Sequence, residues 1–583
     1  MLQVGLDRLG DWNPQLFREI KGRLTIRNLL LAIAISVGGQ LIFLLYHWGQ
    51  LPSVLESSHK YCTGPERDYA VSCLTDAFGH LLINWRLWSL DAFIRLSAIA
   101  MVLLPVIGTY LLVSDLDREE RRGTLNFLRL TPQSASSLSI GKMLGVPILL
   151  YGAALLTVPL HLWLGSIAGI SLSLIFGLYG AILASCVCFY SAAFLFGLIS
   201  TGLGGFQPWL GSGALLFFLS ISINRSIEHS PLDLLTLLTP TLVLAQTLPV
   251  ELLSQANWYR ESFSTLEWLG LPISANGFNA VSFSLLNCGL WTFWAWQGIQ
   301  RRFRNPSISL WSKHQSYGLT VCFEALILGL ALGTPKAISQ IPATAPVGEE
   351  LQAYHYLLDT LFQHFNTLMM LNLVFFLGLM GAVLPHRQVV QDWARYRRDR
   401  AASRSRFWSK ALIAELLSSE KSPASLAIAV NLGIAAGMLL LWVLAWPPIK
   451  ARNQAIAGLV LGFSILALYA VLAQLLLLLR TPKRGVWAFG AVSAAVVLPI
   501  LVLAILSLEP DQAAGLWLFS AFPYAAIQEA AAYEIVLSWL GQLSMVSLLG
   551  LSLTRQVRQI GESASKTLLS DRPQDRPQFP HRI

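Results

Sequence analysis

Charge is what this sequence has least of. Only 13% of its 583 residues are Asp, Glu, Lys or Arg, while 54% are hydrophobic. Soluble domains carry about 25% charge, so a water-solvated globule of this length is excluded. Cysteine is also scarce, and six in the whole chain cannot make a disulfide scaffold. Motifs for chemistry are missing too. A phosphate-cradling loop needs Gly-x-x-x-x-Gly-Lys-Ser/Thr. The nearest string, Gly561-Glu-Ser-Ala-Ser-Lys566-Thr567, lacks the second glycine and has no domain around it. There is no HExxH, no Cys/His metal box and no nucleophile elbow. The chain is therefore read as a non-enzyme, with no catalytic, cofactor-binding or metal residues assigned.

What is present is apolar length, and mean hydropathy is +0.57. A bilayer-spanning helix needs about 20 apolar residues. Twelve runs are candidates, most of them near that length, with Trp209–Ile223 and Leu319–Leu332 short. In the first half they are Leu29–Tyr46, Phe93–Val113, Leu144–Trp163, Ile170–Leu198, Trp209–Ile223 and Val281–Ile299. In the second they are Leu319–Leu332, Leu368–Leu384, Leu426–Trp446, Ala455–Leu479, Val486–Leu508 and Ile535–Leu553. The first run exceeds a signal-peptide core, and no small-x-small cleavage site follows Tyr46, so it is expected to be retained. The fold class is all-α, a polytopic membrane protein of about twelve spans.

Basic residues set the expected orientation. They gather before the first span (Arg18, Lys21, Arg23, Arg27), after the second (Arg118, Arg121, Arg122, Arg129) and at Arg301, Arg302 and Arg304. They gather again from Arg387 to Lys421, at Arg480-Thr-Pro-Lys-Arg484, and in the tail from Arg555. The alternate connectors hold only scattered ones, such as Lys60, Arg67, Lys336, Lys450 and Arg452. This places both termini in the cytoplasm, in a multi-pass plasma (inner) membrane protein. The formal charge of +9 is then a topology signal and an attraction to anionic lipid headgroups. No nucleic-acid partner is implied.

The connector Ser114–Gly145 reads as an amphipathic surface helix. Ser114, Asp115 and Asp117 supply a cap and first-turn acids. Leu116, Leu125, Phe127 and Leu128 supply an apolar face, and Thr131-Pro132 supplies the stop. Its string Glu119-Glu-Arg-Arg-Gly-Thr-Leu125, followed by Leu130-Thr-Pro132 and Gly141-Lys142, resembles the region after the second span of ABC-2-type transporter permeases. Asn13-Pro-Gln-Leu-Phe-Arg-Glu-Ile20 resembles the interfacial helix that opens them. The resemblance implies the membrane subunit of an ATP-driven exporter, with ATP hydrolysed by a separate ATPase subunit and an unknown substrate. It implies ATPase coupling by Glu119, Glu120, Gly123, Thr124, Leu125 and Leu128, with Arg18 and Glu19 nearby. The rival readings are an ion-coupled secondary transporter and a non-transporting membrane scaffold or assembly factor.

The chain also reads as duplicated. Asn13-Pro14 before the first span has a counterpart in Asn305-Pro306 before the seventh. Leu128–Gly145 can be laid on Leu416–Gly433, matching at Ser134/Ser422, Ser137/Ser425, Leu138/Leu426, Ile140/Ile428, Leu144/Leu432 and Gly145/Gly433. Each half has a long loop after its first span, Trp48–Arg86 and Gly333–Tyr354. Each also has a proline-broken apolar segment before its last, Leu234–Leu252 and Leu516–Ala532. Such backbone is tolerated at membrane depth only where protein or water satisfies it. The expected organisation is residues 1–300 and 301–583 as two six-span ABC-2-like halves of a pseudo-dimer, joined near Arg301–Ser312. Gly433/Gly437 and Gly458/Gly462 mark candidate close helix contacts. In the second half, the run Asp392–Arg406 replaces the acids and Gly123-Thr124 of the first, so coupling there is expected to differ.

A few polar residues remain. Asp91 and Arg95, four apart, are expected to pair on one helical face. Cys62 and Cys73 share a loop placed outside and can bond where that compartment is oxidising. Cys186, Cys188, Cys288 and Cys322 read as small packing residues. Glu324 lies inside the seventh span, where acids are costly. Two readings stay open for it: a protonated or cross-helix hydrogen-bonded carboxyl, or a proton or cation site.

Overall fold

The computed structural model describes residues 10–53, 58–67, 70–225, 227–248, 266–332, 347–402, 410–446 and 449–561. The chain forms two compact units. The first is Met1–Pro306 with Gly329–Thr334, and the second is Ser307–Leu328 with Pro335–Ile583. Among the described residues, strand is confined to two small ribbons, β1 (Glu66–Arg67) with β2 (Ala70–Val71) and β3 (Glu267–Trp268) with β4 (Leu271–Pro272).

The first unit opens with α1 (Pro14–Arg23), whose start is fixed by Asn13. The Asn13 side chain accepts from Leu16 N–H at 3.0 Å, and Pro14 takes the first helical position, where its missing N–H costs nothing. Next come α2 (Ile26–Trp48), α3 (Trp85–Arg121), α4 (Thr124–Leu130), α5 (Ala135–Gly145) and α6 (Ile148–Ile167). Then follow α7 (Leu172–Ile199), α8 (Gln207–Asn224), the short α9 (Leu234–Leu237) and α10 (Thr241–Gln246), and α11 (Gly277–Arg304). α3 is the hub, packed on α6, α7 and α8, while α11 runs along α7. A buried polar chain ties three of these helices. His161 on α6 meets Ser97 of α3 at 2.8 Å and the Tyr179 hydroxyl of α7 at 2.9 Å. Gly108 of α3 lies under the Tyr190 ring, whose hydroxyl donates to Leu104 O at 2.7 Å.

The second unit holds α12 (Lys313–Ala331) as far as Leu328, then α13 (Val347–Val383), α14 (Arg387–Ala402), α15 (Lys410–Ser418) and α16 (Ser425–Leu444). It continues with α17 (Ile449–Leu477), α18 (Arg484–Ile505), α19 (Ala514–Trp517) and α20 (Ala532–Ile560). Here α17 is the hub, packed on α13, α16, α18 and α20. α14 is amphipathic. It buries Val390 against Leu478, Leu553 and Ile560, and Trp393 and Ala394 against Leu412.

Among the described residues, ten helices are long and apolar enough to cross a membrane: α2, α3, α6, α7, α8, α13, α16, α17, α18 and α20. The chain is a multi-pass, all-α membrane protein. The sixth and seventh expected spans fall on α11 and α12, helices of 28 and 19 residues that are not among those ten. The two broken segments are broken here as well. Leu234–Leu252, described as far as Leu248, holds α9 and α10, and Leu516–Ala532 holds the end of α19 and a 3-10 turn at Pro523–Ala526. Of the loop Gly333–Tyr354, residues 333–346 lie outside the described residues, and α13 already begins at Val347. Residues 403–409 of the basic run, and the Gly561–Thr567 string beyond its first residue, also lie outside them.

Three expectations need correction. Ser114 to Asp117 do not start a helix, because α3 runs unbroken from Trp85 to Arg121. Its 37 residues reach about 55 Å, well beyond a bilayer core of about 30 Å. Asp91 and Arg95 do not pair. The loop between α2 and α3 folds back, so Asp91 meets Lys60 at 2.8 Å and the Tyr61 hydroxyl at 2.8 Å, while Arg95 donates to Gln50 at 3.2 Å. Of the glycine pairs, Gly433/Gly437 faces open space. Gly458 and Gly462 sit against Phe365 and Met369 of α13.

Candidate functional site

The candidate site lies where α1, the polar end of α3, and α5 meet. Gly141 and Gly145 are four apart on α5 and share one face. A Cβ on Gly141 would stand 2.7 Å from Asn13 Oδ1, and one on Gly145 would stand 2.5 Å from Glu19 Cβ. Glycine is required at both positions for α1 to approach. The Asn13 amide then donates to Ser137 O at 2.8 Å.

Between these two glycines stands Lys142, with no exposed side-chain surface. Its ammonium contacts Asp115 at 2.6 Å, Glu119 at 2.8 Å and Glu19 at 3.6 Å. Asp115 and Glu119 are one turn apart, so α3 presents both to the same point. Arg23 bridges Asp115 at 2.7 Å and Glu19 at 3.2 Å, and Arg18 reaches Glu119 at 2.8 Å. Three cations face three carboxylates. Burial opposes the Lys142 charge, but Asp115, Glu119 and Glu19 outweigh it and hold the ammonium above its ordinary pKa. The three acids converge closely enough to hold a metal ion. Lys142 already occupies the point between them, so the trio is an ammonium cage.

Beyond this cluster the chain turns. Gly123 adopts φ +72°, a left-handed conformation that favours glycine, and so reverses the path from α3 into α4. Leu125 and Leu128 of α4 are buried, and Arg129 anchors it by donating to Phe303 O at 2.9 Å. Glu120 faces Arg129 at 3.7 Å, and Arg121 pairs with Asp117. Gly123 and Thr124 are exposed. So are Phe127 at 71% and Leu130 at 85%. The structure thus brings Arg18, Glu19 and Glu119 together in the ion cluster. It turns Leu125 and Leu128 inward and leaves Gly123 and Thr124 at the surface. Phe127 points outward, against its expected place on the buried face.

Sequence reasoning missed Lys142 and Asp115 as members of the site. Two signals were there: a lone lysine in the apolar string Ile140-Gly-Lys-Met-Leu-Gly145, and acids four apart at 115 and 119.

The second unit solves the same problem differently. Lys313 caps the carboxyl end of α15, donating to Leu416 O at 2.6 Å, to Ser422 Oγ at 2.7 Å and to Pro423 O at 3.1 Å. Burial, opposed in part by Glu420, brings its pKa down to about 8. Glu415 takes Arg397 at 2.7 Å and the Trp393 indole at 3.2 Å. Elsewhere, Cys62 and Cys73 form a disulfide with Cα atoms 4.8 Å apart. Cys186, Cys188 and Cys288 are free and buried, and Cys322 is free and half-buried. Glu324 is fully buried on α12, 3.5 Å from the Asn372 amide of α13.

Comparison with known protein families, with characterised proteins and with solved structures returns no match to this chain.

Proposed function

We propose that this chain is the membrane-spanning permease of an ATP-driven exporter of the ABC-2 type, built as a fused pair of six-span halves. ATP hydrolysis resides in a separate subunit, and the transported substrate is unknown. The observation that carries the reading is the assembly at the end of α3. A span that outreaches the bilayer is locked by paired charges to an N-terminal helix, and it ends in a short helix with exposed apolar side chains. Such a part can receive force from a soluble partner and pass it to a transmembrane helix. The helix lengths of the two units add support. They run 37, 20, 28, 18 and 28 residues for α3, α6, α7, α8 and α11. The second unit gives 37, 20, 29, 22 and 29 for α13, α16, α17, α18 and α20. In this reading α11 and α12 complete the twelve spans, and both termini are cytoplasmic.

The geometry supports a narrower set of partner-facing residues. Glu19, Glu119, Leu125 and Leu128 hold the assembly together, and Arg18, half-exposed, pairs with Glu119. Phe127, Leu130, Gly123 and Thr124 are left for the partner. The test is co-purification of an ATP-hydrolysing subunit with the full-length chain from native membranes. Phe127→Glu with Leu130→Glu is expected to lower ATPase recovery by roughly tenfold or more, with thermal stability retained. Unchanged recovery from that variant sinks the docking role. Complete absence of an ATPase in the wild-type pull-down favours the secondary-transporter or scaffold reading.

A further inference from the structure

The turn between α17 and α18 carries the string Arg480-Thr-Pro-Lys-Arg484. Both flanking helices are long and apolar enough to cross a membrane, and they pack on each other. The short turn at 478–483 therefore lies at the membrane surface. α14 brings a fourth cation to this place. Gln474 of α17 donates to Pro385 O at 3.4 Å, and Val390 of α14 packs against Leu478. These contacts lie on either side of Arg387, the first residue of α14, and hold it beside the turn.

The protein does not neutralise this cluster. Among the described residues, Arg387, Arg480, Lys483 and Arg484 form no ion pair. Neither α14 nor α18 has an acid in its first turn. Asp392 lies about 140° around α14 from Arg387, and Glu415 is taken by Arg397 at 2.7 Å. Burial, joined by repulsion from Arg480 and Arg484, lowers the pKa of Arg387. Cations gathered in this way repel one another until an anion joins them.

We propose that Arg387, Arg480, Lys483 and Arg484 bind the phosphate headgroup of one anionic phospholipid. The surface beside them fits a lipid better than a free phosphate. Arg484 and Trp487 are three apart and share a face of α18. Val486, Trp487 and Phe489 are all exposed, and tryptophan favours the headgroup level of a bilayer. The lipid sets its phosphate on the arginines and its acyl chains along α18. A free phosphate would engage the cations alone and leave that apolar surface uncovered. Basic pockets at the ends of spans are suited to this chemistry. The site needs no ATPase, so its fate is separable from that of the coupling proposal.

The experiment uses the purified full-length chain in a neutral detergent. Native mass spectrometry counts retained lipid, and thermal melting reports stabilisation. The probes are phosphatidylglycerol, phosphatidylcholine and glycerol 3-phosphate. Phosphatidylglycerol is expected to bind one molecule per chain roughly tenfold tighter than phosphatidylcholine and to raise the melting temperature. Glycerol 3-phosphate is expected to do neither. Arg387→Gln with Arg480→Gln and Arg484→Gln is expected to bring phosphatidylglycerol down to the phosphatidylcholine level. Should that variant fail to fold, Arg480→Gln with Lys483→Gln, both exposed, is expected to lose most of the preference. The control removes three exposed cations elsewhere, Arg27, Arg122 and Arg304, each replaced by Gln, and is expected to keep the preference. Equal affinity for the two lipids overturns the proposal, and so does a control that loses as much as the cluster variant, which would mean diffuse charge attraction. Glycerol 3-phosphate matching phosphatidylglycerol overturns the lipid assignment in favour of a free phosphate site.

Discussion

Lys142 and Lys313 are both buried lysines that close a connector, yet they are stabilised in opposite ways. Lys142 is surrounded by three carboxylates, and its folded pKa is raised above 10.5. Its contribution to stability is therefore complete below pH 10.5 and is lost only as pH climbs through the higher folded value. Lys313 is solvated by neutral oxygens at a helix carboxyl end, and its pKa falls to about 8. Removing the charge at Lys142 has a clear expected outcome. Lys142→Met leaves the carboxylates of Glu19, Asp115 and Glu119 against two arginines. Breaking a buried ion cluster in this way costs about 3–5 kcal/mol. Thermal denaturation of the detergent-solubilised chain should show it, and proteolysis should release α1 first. Adding Glu119→Gln restores charge balance, so the double variant should recover part of the loss. A double variant no better than Lys142→Met alone would mean that charge count is not what holds the cluster. By the same reasoning, Glu119→Lys would break the cluster from within.

Among the elements, ten of the twelve expected spans fall on helices long and apolar enough to cross a membrane, because long hydrophobic runs carry their own signal. The polar end of α3 was not legible. Ser114, Asp115 and Asp117 have the composition of a helix start, and linear reading placed one there. Continuation won because Asp115 and Glu119 find Lys142, a partner on α5 distant in sequence, so the acids stabilise the end of one helix instead of the start of another. Which face of α4 is buried was hidden for a similar reason. Leu125 and Leu128 pack inward, while Phe127 and Leu130, equally apolar, are left outside. The pairing of Asp91 with Lys60 and Tyr61 depended on the path of a loop that periodicity cannot give. That loop is stapled by Cys62–Cys73, ten residues lying between the two. Cys62→Ser with Cys73→Ser should destabilise it by about 2–4 kcal/mol. Hydrogen exchange should rise across residues 58–84 and stay unchanged in α7. Equal protection in the variant would show that the short bridges to Ile83 and Leu81 suffice.

At the scale of the whole molecule, the alternation of basic connectors makes a definite expectation of sidedness. In a background without native cysteines, Ala77→Cys in the loop after α2 should react with an impermeant maleimide in intact cells. Arg122→Cys at the end of α3 should react only after permeabilisation. Both positions are exposed, so accessibility reports the side of the membrane and not burial. The opposite pattern would reverse the orientation and with it the ATPase-docking reading of α4. The ion cluster carries one further consequence, which concerns time. Its members run from Arg18 to Lys142, a separation of 142 − 18 = 124 residues. At ribosomal speeds of about 5–20 residues per second, that gap lasts roughly 6–25 s. Until Asp115 and Glu119 are made, Arg18 and Arg23 have only Glu19 of their own helix to pair with, and the cluster is complete only once Lys142 follows. α1 is thus made well before the residues that fix it to α3 and α5.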